Sequence, residues 1–165
     1  MNRITRILVP TDFSETSDTA LTYAQSLADS LGASLHLVHV FDDSYADAML
    51  ADASAAVYDS MRSTAMGTAR RKLQRRMRPA ERRRFFGTTA MITGTPAAAI
   101  VDYADEHDID LIVMGTHGRR GFAHLLLGSV AEQVVRTAKC PVLTVRDKQA
   151  ERVRDRVHEA AAAIA

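Results

Sequence analysis

The sequence predicts an α/β fold, an open parallel sheet with helices on both faces, and three observations carry that prediction. Ile7 to Val9 is a short apolar run of the kind buried on both faces, Leu35 to Phe41 is too continuous for a strand that faces water on one side, and Ile109 to Met114 and Cys140 to Val145 read as further strands. Segments with helical periodicity lie between them and supply the crossovers that parallel strands require. The alternation of strand and helix at short spacing then implies right-handed βαβ units joined in one single-domain sheet.

Each element has its own signals. The first strand, Ile7-Leu8-Val9, is closed by the turn Pro10-Thr11-Asp12. Ser14 is placed to cap a helix whose apolar positions Ala20, Leu21, Ala24, Leu27, Ala28 and Leu31 recur at 3.6 residues, and Gly32 to end it. After the second strand, "LHLVHVF", the stretch from Asp42 to Arg78 reads as a loop followed by a long helix, which Pro79 breaks. "FFGTTAMIT", Phe85 to Thr93, is a third strand with Gly87 near its start. Thr95 as N-cap and Pro96 at the first helical position open a helix that puts Ile100, Val101 and Ala104 on one face. The fourth strand, "IDLIVM", leads through a glycine-bearing loop to a helix with Val130, Ala131, Val134, Val135 and Ala138 at helical spacing, and "CPVLTV" is the fifth strand.

The whole-chain numbers bound what the fold does. A chain of 165 residues, 47% hydrophobic and 25% charged, fits one domain with a sizeable core. No apolar run approaches the roughly 20 residues needed to span a bilayer, and Met1 to Arg6 runs into the first strand without a signal-peptide core, so the expected location is cytoplasmic. The lone cysteine, Cys140, excludes an intrachain disulfide and is either a buried structural thiol or one that reacts or pairs between chains. The net charge of +1 gives no global field toward nucleic acid. Charge is nevertheless blocked: Asp42 to Asp59 holds five aspartates and no basic residue, whereas Arg70 to Arg84 holds nine basic residues against Glu81. That basic block is either a solvated helix face, partly neutralised by the Asp-rich stretch, or a surface for nucleic acid, anionic lipid or an acidic partner. Without interleaved aromatics it lacks the pattern of a single-strand binder.

In open parallel sheets, ligands sit beyond the carboxyl ends of the strands where the winding reverses, and Asp12 and Gly115 both follow strands at that edge. "MGTHGRRGFAHLLLGSVAEQVV" sets Gly115, two residues, Gly118, nine residues, then Gly128-Ser129. Glycines after a strand permit positive φ and close approach of backbone N–H groups to an anion. A helix starting near Ser129 adds free N–H groups and a positive dipole end, with a hydroxyl that either donates to phosphate or caps the helix. The same spacing also fits a plain βα loop. Neither a Walker phosphate loop nor the dinucleotide fingerprint is present.

Taken together, "ILVPTDFS", "LHLVHV", "GTPAAAIVDYADEHDIDLIVMGTHGRRG" and "LLLGSVAEQVVRTAKCPVLTV" resemble the universal stress protein family in its ATP-binding branch, over most of Arg6 to Arg146. The resemblance implies a Rossmann-like sheet of order 3-2-1-4-5 and residues 1–146 as a nucleotide-binding domain; residues 147–165 depart from a minimal family member and read as a C-terminal helical extension. It implies that Pro10, Thr11 and Asp12 wall the nucleotide site, with Asp12 near base and ribose, and that Val40 meets adenine through its backbone. Met114, Gly115, Gly118, Gly128, Ser129 and Val130 would hold ribose and phosphates beside His117 and Arg119. ATP would bring a divalent ion, Mg²⁺, held mostly by phosphate oxygens and water. Asp12 also has a purely local reading, as the cap of the next turn.

The resemblance points to a nucleotide-dependent regulatory or stress-response module, a homodimer through Pro141 to Val145, and no enzyme. Two alternatives stand beside it: a slow ATP-hydrolysing or phosphotransfer enzyme using His117, His124, Arg119 or Arg120, and a nucleotide-independent interaction module using Arg70 to Arg84. His36 and His39 fall on opposite faces of one strand and cannot share a metal. Val153, Val157, Ala160 and Ile164 form a narrow helical seam in the tail, either a packing surface for the dimer mate or another protein, or a frayed helix.

Overall fold

The computed structural model describes residues 3–42, 55–116 and 128–146. The predicted tail helix at 147–165, most of the Asp-rich stretch, and His117, Gly118, Arg119, Arg120 and His124 lie outside the described residues. Five strands, β1 (Arg6–Pro10), β2 (Ser34–Phe41), β3 (Thr88–Thr93), β4 (Leu111–Gly115) and β5 (Val142–Val145), form one parallel sheet of order β3-β2-β1-β4-β5. This is the fold class and strand order expected.

The helices are α1 (Glu15–Leu31), α2 (Ala55–Arg76), α3 (Pro79–Arg84), α4 (Pro96–Glu106) and α5 (Ser129–Thr137). Alternate strand residues face opposite layers. Ile7, Val9, Leu35, Leu37, Leu111 and Val113 pack under α1 and α2 with Ala20, Ala24, Leu73 and Met77. Leu8, Val38, Ile112 and Met114 pack under α4 and α5 with Ile100, Tyr103, Ala131 and Val134. Burial on both faces is why these strands read as unbroken apolar runs.

The caps of α1 fall where expected: Ser14 accepts the N–H of Ser17 at 3.2 Å, and Gly32 ends the helix at φ 66°. Pro96 occupies the first turn of α4 behind Thr95, which makes no side-chain cap bond. Three boundaries differ from the sequence reading. Pro79 ends the long helix and also starts the six-residue α3, because a proline suits a helix's first turn. The third strand consequently begins at Thr88, with Phe85 to Gly87 closing α3. Gly128, not Ser129, is the N-cap of α5, so Ser129 is its first helical residue and does not cap it.

Among the described residues of the basic block, Arg76 pairs with Asp18 and Arg84 with Asp29, both on α1, and Arg78 pairs with Glu81. Among the described residues no helix is long and apolar enough to cross a membrane.

Candidate functional site

The strand register brings Pro10, Thr11, Asp12, Met114 and Gly115, described residues of the expected site, to one edge. Leu8 of β1 lies level with Ile112 of β4, so two residues on Pro10 is level with Met114, where the two central strands end. Here β1 hands over to α1 on one face, while β4 leads toward α5 on the other. This is the point where the winding reverses, the place in such sheets where a crevice opens.

The loop after β1 is held by a closed set of hydrogen bonds. Thr11 is buried, its N–H donates to Val38 O at 2.8 Å, and its hydroxyl oxygen accepts the N–H of Phe13 at 3.0 Å. Ser17 gives its one hydroxyl hydrogen to Ser14 O at 2.8 Å, so in the 3.0 Å contact between them the Thr11 hydroxyl donates to Ser17. Thr11's side chain is therefore engaged inside the loop, and any ligand contact from it is through backbone. Asp12 is half-buried and accepts from the N–H of Ser14 at 3.0 Å and its hydroxyl at 2.6 Å. The capping role weighed for Asp12 is thus present, and it fixes where the carboxylate stands.

Behind the loop, His39 is 8% exposed, and its Nδ1 must carry a proton to donate to Thr11 O at 2.7 Å. Its ring lies 4.2 Å from the ring of Phe13, which has φ 69°. His36 lies on the other face against Tyr103, as the two-residue period requires. Val40 is half-buried and runs past the end of β1. Val38 turns its carbonyl to Thr11 and Phe41 turns its own to Gly94 on the β3 side. By alternation, Val40 presents its N–H and C=O toward the side that β1 has just left.

On the β4 side, Met114 is buried in the α4–α5 core, so only its backbone faces the edge. Gly115 is the last residue of β4 and is not among the described glycines with positive φ, which are Gly32 and Gly94. Its role is close approach: a β-carbon there would sit 2.8 Å from Thr16 Cγ2. Thr116, 2% exposed, donates its N–H to Val145 O at 2.9 Å and accepts the N–H of Gly128 at 2.6 Å. That bond ties the start of α5 to the end of β4. Among the described residues no side chain caps α5, and the first-turn N–H groups of Ser129 and Val130 lie at the edge with the positive end of the helix dipole. Ser129 is exposed and Val130 half-buried.

Sequence reasoning missed Thr116, Ser17, Phe13 and Arg76. Ser17 had a visible signal, a serine three residues before Ala20 on the buried stripe of α1. Cys140 is half-buried; burial foremost, then the carboxylates of Asp105 and Asp110, pushes its thiol up from the ordinary value. That favours the structural reading over the reactive one.

A family profile described as the universal stress protein family matches residues 3–146. The chain is 35% identical over 150 residues to universal stress protein MJ0531 of Methanocaldococcus jannaschii, covering 91% of this chain and 86% of that protein. Among solved structures it is similar to protein MJ0577 of the same organism, with TM-score 0.76, 28% identity, and coverage of 89% of this chain and 99% of the other. A universal stress protein solved in complex with cAMP is similar at TM-score 0.58 and 26% identity, covering 88% of this chain and 98% of that one.

Proposed function

The chain belongs to the universal stress protein family, and from that premise we propose that it binds an adenine nucleotide, ATP first, and works as a nucleotide-dependent regulatory module. The observation that carries this reading is the bond from Gly128 N–H to Thr116 O, which seats the start of α5 beside the crevice at the ends of β1 and β4. An N-terminus of this kind attracts phosphate. Opposite it stand Asp12, for ribose or base, and the backbone of Val40, for adenine. Pro10, Thr11, Met114 and Gly115 shape the crevice floor, and Ser129 and Val130 supply phosphate contacts. His117, Gly118 and Arg119 complete the phosphate loop in this proposal. The complex of a related protein with cAMP supports an adenine nucleotide as the ligand class.

ATP is proposed to arrive with Mg²⁺. The described site offers N–H donors and one carboxylate, Asp12, so the ion's ligands are phosphate oxygens and water. In this reading the module holds the triphosphate; among the described residues Asp12 is bonded to Ser14 and His39 gives its Nδ1 proton to the Thr11 carbonyl, which supports positioning roles for both. Among the described strands β5 pairs only with β4, and Leu143 is 39% exposed, which supports pairing of two copies through the last strand.

The test is mass spectrometry of nucleotide released on denaturing the purified protein, followed by titration with ATP and Mg²⁺. Bound or titratable ATP, lost when Gly118 is replaced by a bulky residue in a still-folded protein, is the expected result. No affinity for any adenine nucleotide overturns the reading. Turnover that scales with protein and falls in a His117 or Arg119 variant would instead make it an enzyme.

A further inference from the structure

We propose that Arg76 is a positioning residue for nucleotide binding: from the basic end of α2 its guanidinium holds the Thr11–Phe13 loop in the shape that presents Asp12. The inference rests on the reading of that loop as a wall of the nucleotide site. It starts from Phe13, whose φ of 69° lies in the left-handed region. For a bulky L-residue this conformation is strained and persists only where the surroundings enforce it.

Among the described residues three groups bear on Phe13, the outermost being the Lys72 ammonium 5.6 Å from its ring centroid. The His39 ring lies 4.2 Å from the Phe13 ring, and the Arg76 guanidinium stands 4.9 Å over it. Arg76 Nη2 also donates to the Phe13 carbonyl oxygen at 3.0 Å. The same guanidinium is locked by a two-pronged bond to Asp18 of α1, Nε to Oδ1 at 2.5 Å and Nη2 to Oδ2 at 3.0 Å. The Arg76 side chain is only 21% exposed, so this pair is screened less than the surface pairs of Arg78 and Arg84. Thus the residue before Phe13, Asp12, is fixed from one side by Ser14 and from the other by a cation anchored on the first turn of α1.

Arginine is required by this geometry. A planar fork satisfies a carboxylate, a carbonyl and a ring face together, whereas an ammonium is a single point charge. Of the nine basic residues in Arg70 to Arg84, Arg84 makes the matching pair with Asp29 further along α1, away from the loop. Arg84 is therefore the control for a purely structural tie between these helices.

The experiment compares Arg76→Met, Arg76→Lys and Arg84→Met with the wild type by calorimetric titration with ATP and Mg²⁺ and by thermal denaturation. Both methionine variants lower Tm, but only Arg76→Met weakens ATP binding, by about tenfold, the scale of one lost charge-assisted hydrogen bond. Arg76→Lys falls between wild type and Arg76→Met, and Arg84→Met stays within about twofold of wild type. If Arg76→Met does not fold, Asp18→Asn, which frees the guanidinium while keeping its side chain, reports the same loss. Wild-type affinity in Arg76→Met, or an equal loss in Arg84→Met, overturns the proposal while leaving nucleotide binding intact. A wild type without affinity for ATP overturns both readings.

Discussion

Gly115, the last residue of β4, lies against Thr16 of α1 so closely that an added β-carbon would stand 2.8 Å from Thr16 Cγ2 and 3.2 Å from its carbonyl carbon. The backbone atom leaves little room to yield, and a β-branched side chain has few rotamers to retreat into. Gly115→Ala is expected to cost about 1–3 kcal/mol through overpacking and to push the first turn of α1 away from β4. Urea denaturation measures the first effect and ATP titration the second. An alanine variant as stable as wild type would show that the two elements separate freely.

His36 sits on the α4 side of the sheet, its Nδ1 3.1 Å from the Tyr103 hydroxyl and its ring 5.8 Å from that of His107. Arg6 reaches the same corner, donating to His107 O and to Asp108. Burial first, then the charges of His107 and Arg6, lower the His36 pKa below the ordinary 6.5. The folded protein therefore binds this proton more weakly than the unfolded chain does. Stability from neutral His36 is complete above 6.5 and is lost as pH falls from there through the lowered folded value. Urea midpoints between pH 7.5 and pH 5 should decline in wild type and decline less in His36→Gln; equal slopes would remove His36 as the cause.

Asp110 governs a more acidic window. Its Oδ2 accepts the N–H and hydroxyl of Thr5, each at 2.8 Å, and the N–H of Arg6 at 3.0 Å, tying the chain before β1 to the start of β4. Burial opposes its charge, but the Thr5 and Arg6 hydrogen bonds and the Arg6 cation outweigh it, and the pKa falls below 3.8. For a lowered carboxylate the contribution is present above the unfolded value and disappears as pH drops through the folded one. Asp110→Ala is expected to cost roughly 1–2 kcal/mol at pH 7. That difference from wild type should shrink below pH 3.8, and a gap that stays constant into acid would refute the charge-based account.

The strands were legible because burial on both faces writes unbroken apolar runs, and the site's edge because Asp12 and Gly115 follow two of them. What was hidden depends on residues far apart in the chain. Arg76 meets Asp18 across 58 positions and Arg84 meets Asp29 across 55, so the block's sign could be read but not its partners. Gly115 shows a second limit: one letter serves both positive φ and close approach, and only the contact with Thr16 says which. Thr11 shows a third, since a hydroxyl at a strand end suits a ligand as well as the Ser17 side chain that takes it.

Phe86 marks where local chemistry overrode a β-prone run. The sequence "FFGTTAMIT" suggests a strand from Phe85, yet α3 ends there, with Phe85 N–H on Glu81 O and Gly87 N–H on Arg82 O at 2.7 Å. Those bonds form a helix-ending turn that places Phe86 in the left-handed position at φ 45°, where glycine is favoured, and the residue is 85% exposed. Left-handed phenylalanine costs about 1–2 kcal/mol, while glycine adds about 0.4–1 kcal/mol of unfolded-state entropy. A residue this exposed forfeits little packing, so the conformational gain wins. Phe86→Gly is expected to stabilise the protein by about 0.5–1 kcal/mol, a rise in Tm of about 1–4 °C. Phe86→Val, β-branched and poorly suited to positive φ, should lower it. A Tm that falls in Phe86→Gly would mean that the ring makes contacts worth more than its strain.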